Sequence, residues 1–404
     1  MGLLPVQENQ AIISKNKGFI KKNMRQEDLL IRKCIFPIDK EKIEAFLSPG
    51  LNWAYIFNES LKQNVAPLLY YNLLEAKSIR EKIPRDIWEK FERTYYSIAA
   101  YNTCLLEELQ KVLKSLLESG IEVIVLKGMA LVERVYPVLA LRPMADIDLL
   151  VHEEDMPEVE ARLDELGYEN LTRGPEDFIK KIGGNFIVDI DIHSEILNIT
   201  RVPSRRKSHR VNLERLWKNS QDTEIAGVEA RILSPEDFLI DLCLHLVVHH
   251  GFEKLIWSAD IFYVSNHYRE VFDWNKFVKD ALEYKVGKAG YYTLYYVKEI
   301  LGAEVPVNVI KMLTPSKQNG LERRLFNLIL SGQSIEQSRF LFTLSMIEGF
   351  GDQLKLLREI VLPRPSLLRA RYDIPPLRST YPYYLLHFTK SSFLAFKALR
   401  KVIA

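Results

Sequence analysis

Aspartates recur in pairs at two places in the chain. Asp146 and Asp148 stand in LRPMADIDLLV, and Asp189 and Asp191 stand in NFIVDIDIH, which ends at His193. Both runs alternate polar with apolar residues, and side chains two apart on a strand share a face. Asp146 and Asp148 therefore project from one side of a strand while Ile147 and Leu149 point into a core. In the second run Asp189, Asp191, His193 and Glu195 oppose Val188, Ile190 and Ile192. Paired carboxylates of this kind suit Mg²⁺, which commonly takes one or two of them together with substrate phosphates. A third carboxylate from a neighbouring strand would complete a site for two ions roughly 3.5 to 4 Å apart, directing in-line attack at phosphorus. Asp191 is the expected third ligand, and Asp189 faces the same way.

A phosphate site needs donors as well as metal ligands. IEVIVLKG (121–128) reads as a short β-branched strand ended by glycine, and MALVERVY reads as the helix that follows. Backbone amides at such a helix start, with Gly128 allowing close approach and Lys127 adding a point charge, can hold phosphate oxygens. Arg142 stands four residues before Asp146, where a guanidinium can brace a phosphate through two bonds, and Pro143 stiffens the approach. A DxD or a KG pair is common by chance. Their order along one sheet makes a coherent nucleotide-phosphate and metal site.

The elements that position these residues follow from periodicity. Residues 1–25 are polar and nearly aperiodic. From 26 to 120 apolar residues recur every three or four positions, ending in the long amphipathic run from Trp88 to a capping Gly120. Residues 121–233 carry the strand signals, including weak ones at YENLTR and TEIAGVEARIL. Residues 234–404 return to helix, opening at SPEDFLIDLCLHLVVHH with a serine cap and a proline at the first helical position. The expected fold class is α+β: a small mixed β-sheet core flanked by N-terminal and C-terminal helical regions.

At this point the chain resembles a known family, the largely uncharacterised bacterial nucleotidyltransferases of the DNA polymerase β-like superfamily. The likeness is carried by VLKGMALVERVY, LRPMADIDLLV, LDELGY and VDIDIHSEI. NVAPLLYYNL upstream, and LSPEDFLIDLCLHLVVHHGFEKLIWSADI with Asp273-Trp274 downstream, extend it from about Trp53 to Ala281. LPRPSLLRARY is a fainter echo. The resemblance implies that Asp146, Asp148 and Asp191 are catalytic and bind two Mg²⁺ ions, with Mn²⁺ as a substitute. It also implies that Lys127 and Gly128 hold the triphosphate. The family's Asp-x-His pair falls on Asp191 and His193, which favours Asp191 over Asp189. His193 is read as a catalytic residue that orients Asp191 or helps move the acceptor proton, with hydrogen-bonded support as the plainer role. Met129 follows Gly128 where the wider superfamily has serine after glycine. The expected reaction transfers a nucleoside monophosphate, AMP from ATP, to a small-molecule or peptide acceptor. Attack at the β- or γ-phosphate through the same site is the alternative, and a noncatalytic nucleotide-binding or helical interaction protein is the reading from a different class.

Other features are weaker. His245, His249 and His250 lie on one helix, where His245 and His249 share a face and are half of a zinc-ligand set, but no Cys or acidic partner has matching spacing, so packing against the nucleotide domain or contact with the base, acceptor or phosphate is favoured. Asp260 on the following helix either hydrogen-bonds one of these histidines or belongs to a structural polar cluster. RVPSRRKSHR (201–210) clusters Arg205 and Arg206 with other cations, either as a clamp on a phosphate or acceptor or as a solvated loop. It lacks interleaved aromatics, and 55 basic against 53 acidic residues leave a net charge of only +2, so nucleic acid is not an expected partner. YYLLHFTKSSFLAFKALRKVIA suits closing the helical region better than lying on a membrane. Three dispersed cysteines, no signal-peptide pattern and no apolar run of spanning length lead to a cytoplasmic expectation.

Overall fold

The computed structural model describes residues 24–36, 50–74, 76–170, 177–184, 186–196, 210–333, 335, 339–347, 349–375 and 377–403. The loop expectation for Arg205 and Arg206 lies outside the described residues.

The helices α1 (Gln26–Cys34), α2 (Trp53–Lys62) and α3 (Ala66–Leu74) precede α4 (Arg85–Glu118). In α4 the apolar stripe Ile87, Trp88, Phe91, Leu105, Leu109, Val112, Leu113 and Leu116 is buried, as helical spacing requires of a helix packed along one side. The sheet follows: β1 (Ile124–Val125), then helix α5 (Lys127–Arg134), β2 (Ile147–Leu150), helix α6 (Met156–Glu165), β3 (Glu169–Asn170), β4 (Asp177–Ile182) and β5 (Phe186–His193). Helix α7 (Leu213–Asn219) then leads to the hairpin of β6 (Gln221–Ile225) and β7 (Val228–Ile232).

The seven strands lie in the order β3-β4-β5-β2-β1-β7-β6. β2 runs parallel to β5 and β1 parallel to β7, while the other neighbours are antiparallel. The sheet is mixed, as the strand signals predict, and the weak signal at 223–233 is a full hairpin. Ile147, Leu149, Val188, Ile190 and Ile192 are completely buried, so the apolar half of each alternating run faces the core and the acidic half faces away from it.

Helix follows again from Pro235. α8 (Pro235–Leu244) is buried at every one of its positions and is capped by Ser234, whose side chain accepts from the Asp237 amide. It passes into a π-helical turn at His245–His249. Beyond come α9 (Leu255–His267), α10 (Trp274–Glu283), α11 (Gly287–Tyr296), α12 (Val307–Leu313), α13 (Gly320–Leu330), α14 (Arg339–Met346), α15 (Phe350–Val361), α16 (Pro365–Tyr372) and α17 (Tyr381–Ile403). The architecture is α+β, with helices flanking the mixed sheet on both chain sides. No described helix is long and apolar enough to cross a membrane.

Candidate active site

Parallel pairing of β2 with β5 sets Asp148 directly beside Asp191, and antiparallel pairing of β4 with β5 adds Asp177 on the far side of Asp191. Asp148, Asp191 and His193 bring one ligand atom each within 4.8 Å of one another. Asp146 precedes β2 on the same face and borders the same cavity, about 350 Å³ in volume. Asp189 is not among the described residues lining that cavity.

Lys127 enters from β1. The amide of Leu126 donates to the Asp148 carbonyl, which brings the next residue to the Asp148 side chain. Lys127 Nζ lies 2.7 Å from Asp148 Oδ1, and its backbone sits at φ +40°, a region that costs a non-glycine residue free energy. His193 Nε2 lies 2.8 Å from the same oxygen.

The fields in this cluster diverge. Burial raises the Asp148 carboxyl, but Lys127 and His193 outweigh it and hold the group well below the usual range. Burial and then the neighbouring Asp148 push Asp146 up to about 6. Burial, followed by the charges of Asp148, Asp146, Asp177 and Asp189, pushes Asp191 up to about 8. His193 is lowered, first by burial and then by Lys127. An ionised Asp148 only accepts, so His193 is the neutral tautomer with its proton on Nε2. Carboxylates crowded at a cavity wall, with Asp146 and Asp191 driven toward neutrality by burial and then by Asp148, form a donor set that a hard divalent cation would satisfy.

Arg142 borders the cavity and is buried. Its Nε and Nη2 each lie 3.0 Å from Asp260 on α9, in a two-bond fork, and Tyr136 donates to the same carboxylate at 2.8 Å. Of the two readings of Asp260 the structure has the polar cluster: its carboxylate bonds Arg142 and Tyr136, because a guanidinium offers a buried carboxylate a charged, planar match. A Cβ on Gly128 would come within 2.8 Å of Arg142 Nη1, so Gly128 admits the guanidinium to the start of α5. Asn102 on α4 fixes the loop between them, donating to the carbonyls of Leu139 at 2.7 Å and Arg142 at 3.0 Å.

The same cavity is also lined by His245 and His249, with His250, Lys254, Ile256, Trp257 and Asn64. His250 was legible with His245 and His249 as part of one helical histidine cluster, but its stack on Trp257 was not, since a contact made by a π-turn meeting the next helix has no linear spacing. The sequence reading passed over Asp241 on α8, which is fully buried with Oδ2 unpartnered and is pushed by burial up to about 7. An acidic residue inside the apolar run FLIDLCL was the available signal.

A mixed sheet bearing registered carboxylates beside a lysine-led helix start defines a nucleotidyltransferase-type fold. The chain matches the family described as uncharacterised nucleotidyltransferase over residues 49–302, more than half its length, and it belongs to that family. A crystal structure of an antigenic nucleotidyltransferase-like protein from Paracoccidioides brasiliensis is similar over 52% of this chain and 95% of that one, with 13% identity and a TM-score of 0.32. A search of curated proteins gave no match. The assignment rests on the family match.

Proposed function

We propose that this nucleotidyltransferase transfers a nucleoside monophosphate, AMP from ATP, to a hydroxyl of a small-molecule or peptide acceptor. The observation that carries the reading is the register of Asp148 against Asp191 at the wall of a cavity shared with Asp146 and Lys127. Asp146, Asp148 and Asp191 would hold two Mg²⁺ ions, or Mn²⁺ in their place. Bound there, the ions supply neutralisation of the phosphate charge and acidify the acceptor hydroxyl.

The chain's own groups do the rest. Lys127 and the first amides of α5 bind phosphate oxygens, with Gly128 leaving room for approach. Arg142, gripped by Asp260 through Nε and Nη2, keeps Nη1 at the helix start, where it opposes negative charge. His193 donates to Asp148 and fixes its orientation, a positioning role rather than that of a base at Nε2. The acceptor oxygen bonds to the α-phosphorus as the bond to the bridging oxygen breaks and pyrophosphate leaves.

Cell extract incubated with Mg²⁺ and ATP labelled at the α- or γ-phosphate tests this, with native protein beside Asp148→Ala. Label from the α position on an acceptor, with native protein alone, is the expected result. Transfer of γ-label would move the reaction to the terminal phosphate, and bound nucleotide without any transfer would leave a noncatalytic binding protein.

A further inference from the structure

The segment from His245 to Trp257 is built at some expense to the backbone. His245–His249 is a π-helical turn, a wide form that recurs at functional sites. Gly251 and Phe252 follow at φ +55° and +61°, two left-handed residues in succession. A Cβ at Gly251 would sit 2.6 Å from Arg339 Cγ, so α14 packs directly on this turn. The Phe252 ring is held among Tyr296, Phe326 and Phe342, with centroids 5.1, 6.2 and 6.2 Å away. Three helices of the C-terminal region thus maintain a conformation that a relaxed chain would leave.

What the turn achieves is the placement of His250. Its ring lies on Trp257 with centroids 3.6 Å apart and planes 18° from parallel. His245 stands edge-on to the same indole at 5.7 Å and 87°, and its Nε2 lies 3.1 Å from His250 Nε2. All three residues are partly exposed and border the cavity that holds the carboxylates and Lys127. Burial, reinforced by Arg339, Lys127 and Lys254, holds His250 down to about 3, and His245 is likewise lowered well below its ordinary range, by burial first. These rings stay uncharged at neutral pH, so they are unsuited to gripping phosphate. The stacked rings are flat and neutral, with one cation at their border, Lys254 Nζ at 5.7 Å from the indole centroid, whereas Lys127, Arg142 and the carboxylates make the rest of the cavity lining charged.

We propose that His250 and Trp257 form the nucleobase subsite, stacking the planar base of a nucleotide whose phosphates lie at Lys127 and the carboxylates. The inference rests on the nucleotidyltransfer reading above. The nucleotide is the occupant the cavity fits, because it brings a planar uncharged ring and a polyphosphate together, matching the aromatic and the charged parts of one lining. Stacking of a base on aromatic side chains tolerates any base identity, so ATP and GTP should bind with similar affinity.

Equilibrium binding of the Mg²⁺ complexes of α,β-methylene-ATP and of ribose 5-triphosphate, which lacks a base, tests the subsite on the full chain. Native protein is expected to bind the methylene nucleotide about tenfold more tightly. Trp257→Ala and His250→Ala should erase that preference while leaving ribose 5-triphosphate affinity unchanged, and Trp257→Phe should keep most of it. Unchanged melting of Trp257→Phe guards against misfolding as the cause. Equal affinity of native protein for the two ligands would overturn the subsite and leave nucleotidyltransfer standing, as would a preference that survives Trp257→Ala because an acceptor occupies the wall. Failure of native protein to bind either ligand would overturn both.

Discussion

At Asp191, loss of water and the charges of Asp148, Asp146, Asp177 and Asp189 act in one direction, keeping the carboxyl protonated up to about 8. The unfolded chain loses that proton near 3.8, so between about pH 4 and 8 the folded state holds more protons. Stability from this group is therefore greatest in acid and falls as pH rises through that window. Asp146, held up to about 6, adds the same slope over a narrower range. A divalent ion reverses the situation, because it needs both carboxylates ionised. Mg²⁺ or Mn²⁺ should bind more tightly at pH 8.5 than at pH 6 and release protons on binding below pH 8, and it should raise the melting temperature more at the higher pH. Calorimetry in buffers of different ionisation enthalpy counts the protons. Affinity independent of pH would show that Asp191 is not a ligand. The types and spacing of these aspartates were legible in the sequence because strand alternation puts them on one face. Their unequal protonation was not legible, since it depends on Lys127 and His193 meeting one oxygen of Asp148.

Among elements, the junction of α5, the loop at Arg142 and α9 is where a glycine, an arginine and an aspartate depend on one another. The Arg142 guanidinium cannot swing away from an added methyl at position 128 without loosening its two bonds to Asp260, although a terminal arginine nitrogen would ordinarily yield. Gly128→Ala should cost roughly 1 to 3 kcal/mol, the range for forced overpacking. Asp260→Ala should cost about 3 to 5 kcal/mol, because it strands a buried cation. Removing the arginine makes room, so Gly128→Ala combined with Arg142→Ala should destabilise less than the sum of the two single changes. Denaturant unfolding of the four chains measures the coupling, and strict additivity would mean that Gly128 has another role. The sequence singled out Gly128 and Arg142, since LKG before a helix and RP before DxD are local patterns, and the two residues do meet at the start of α5. That Asp260 on α9 is the partner of Arg142 was not legible, because the two lie 118 residues apart, and such pairing is set by the docking of helices, not by local spacing.

For the whole molecule, the composition shift at Ser234 marks the start of a helix but no break in packing. One apolar cluster runs from Leu30 to Met346, and α8 is buried at every position, as expected of a helix enclosed on all sides. The cavity lining is likewise shared: the aspartates come from β2, its approach and β5, and Lys127 from the start of α5, while the histidines and Trp257 come from the π-turn, the residue after it and α9. Arg142 also has its counter-charge on α9. A chain ending at Leu233 keeps Asp146, Asp148 and Asp191 but exposes the side of α5 that α8 packs against, and leaves the Arg142 cation without Asp260. Each loss is several kcal/mol, against a total stability on the order of 5 to 15 kcal/mol for a folded protein. Residues 50–233 expressed alone should therefore show no cooperative thermal transition and no stabilisation by Mg²⁺, whereas the full chain should show both. A cooperative melt of that fragment, raised by Mg²⁺ as much as in the full chain, would mean that the sheet carries its own core and that the C-terminal helices contribute the cavity wall alone.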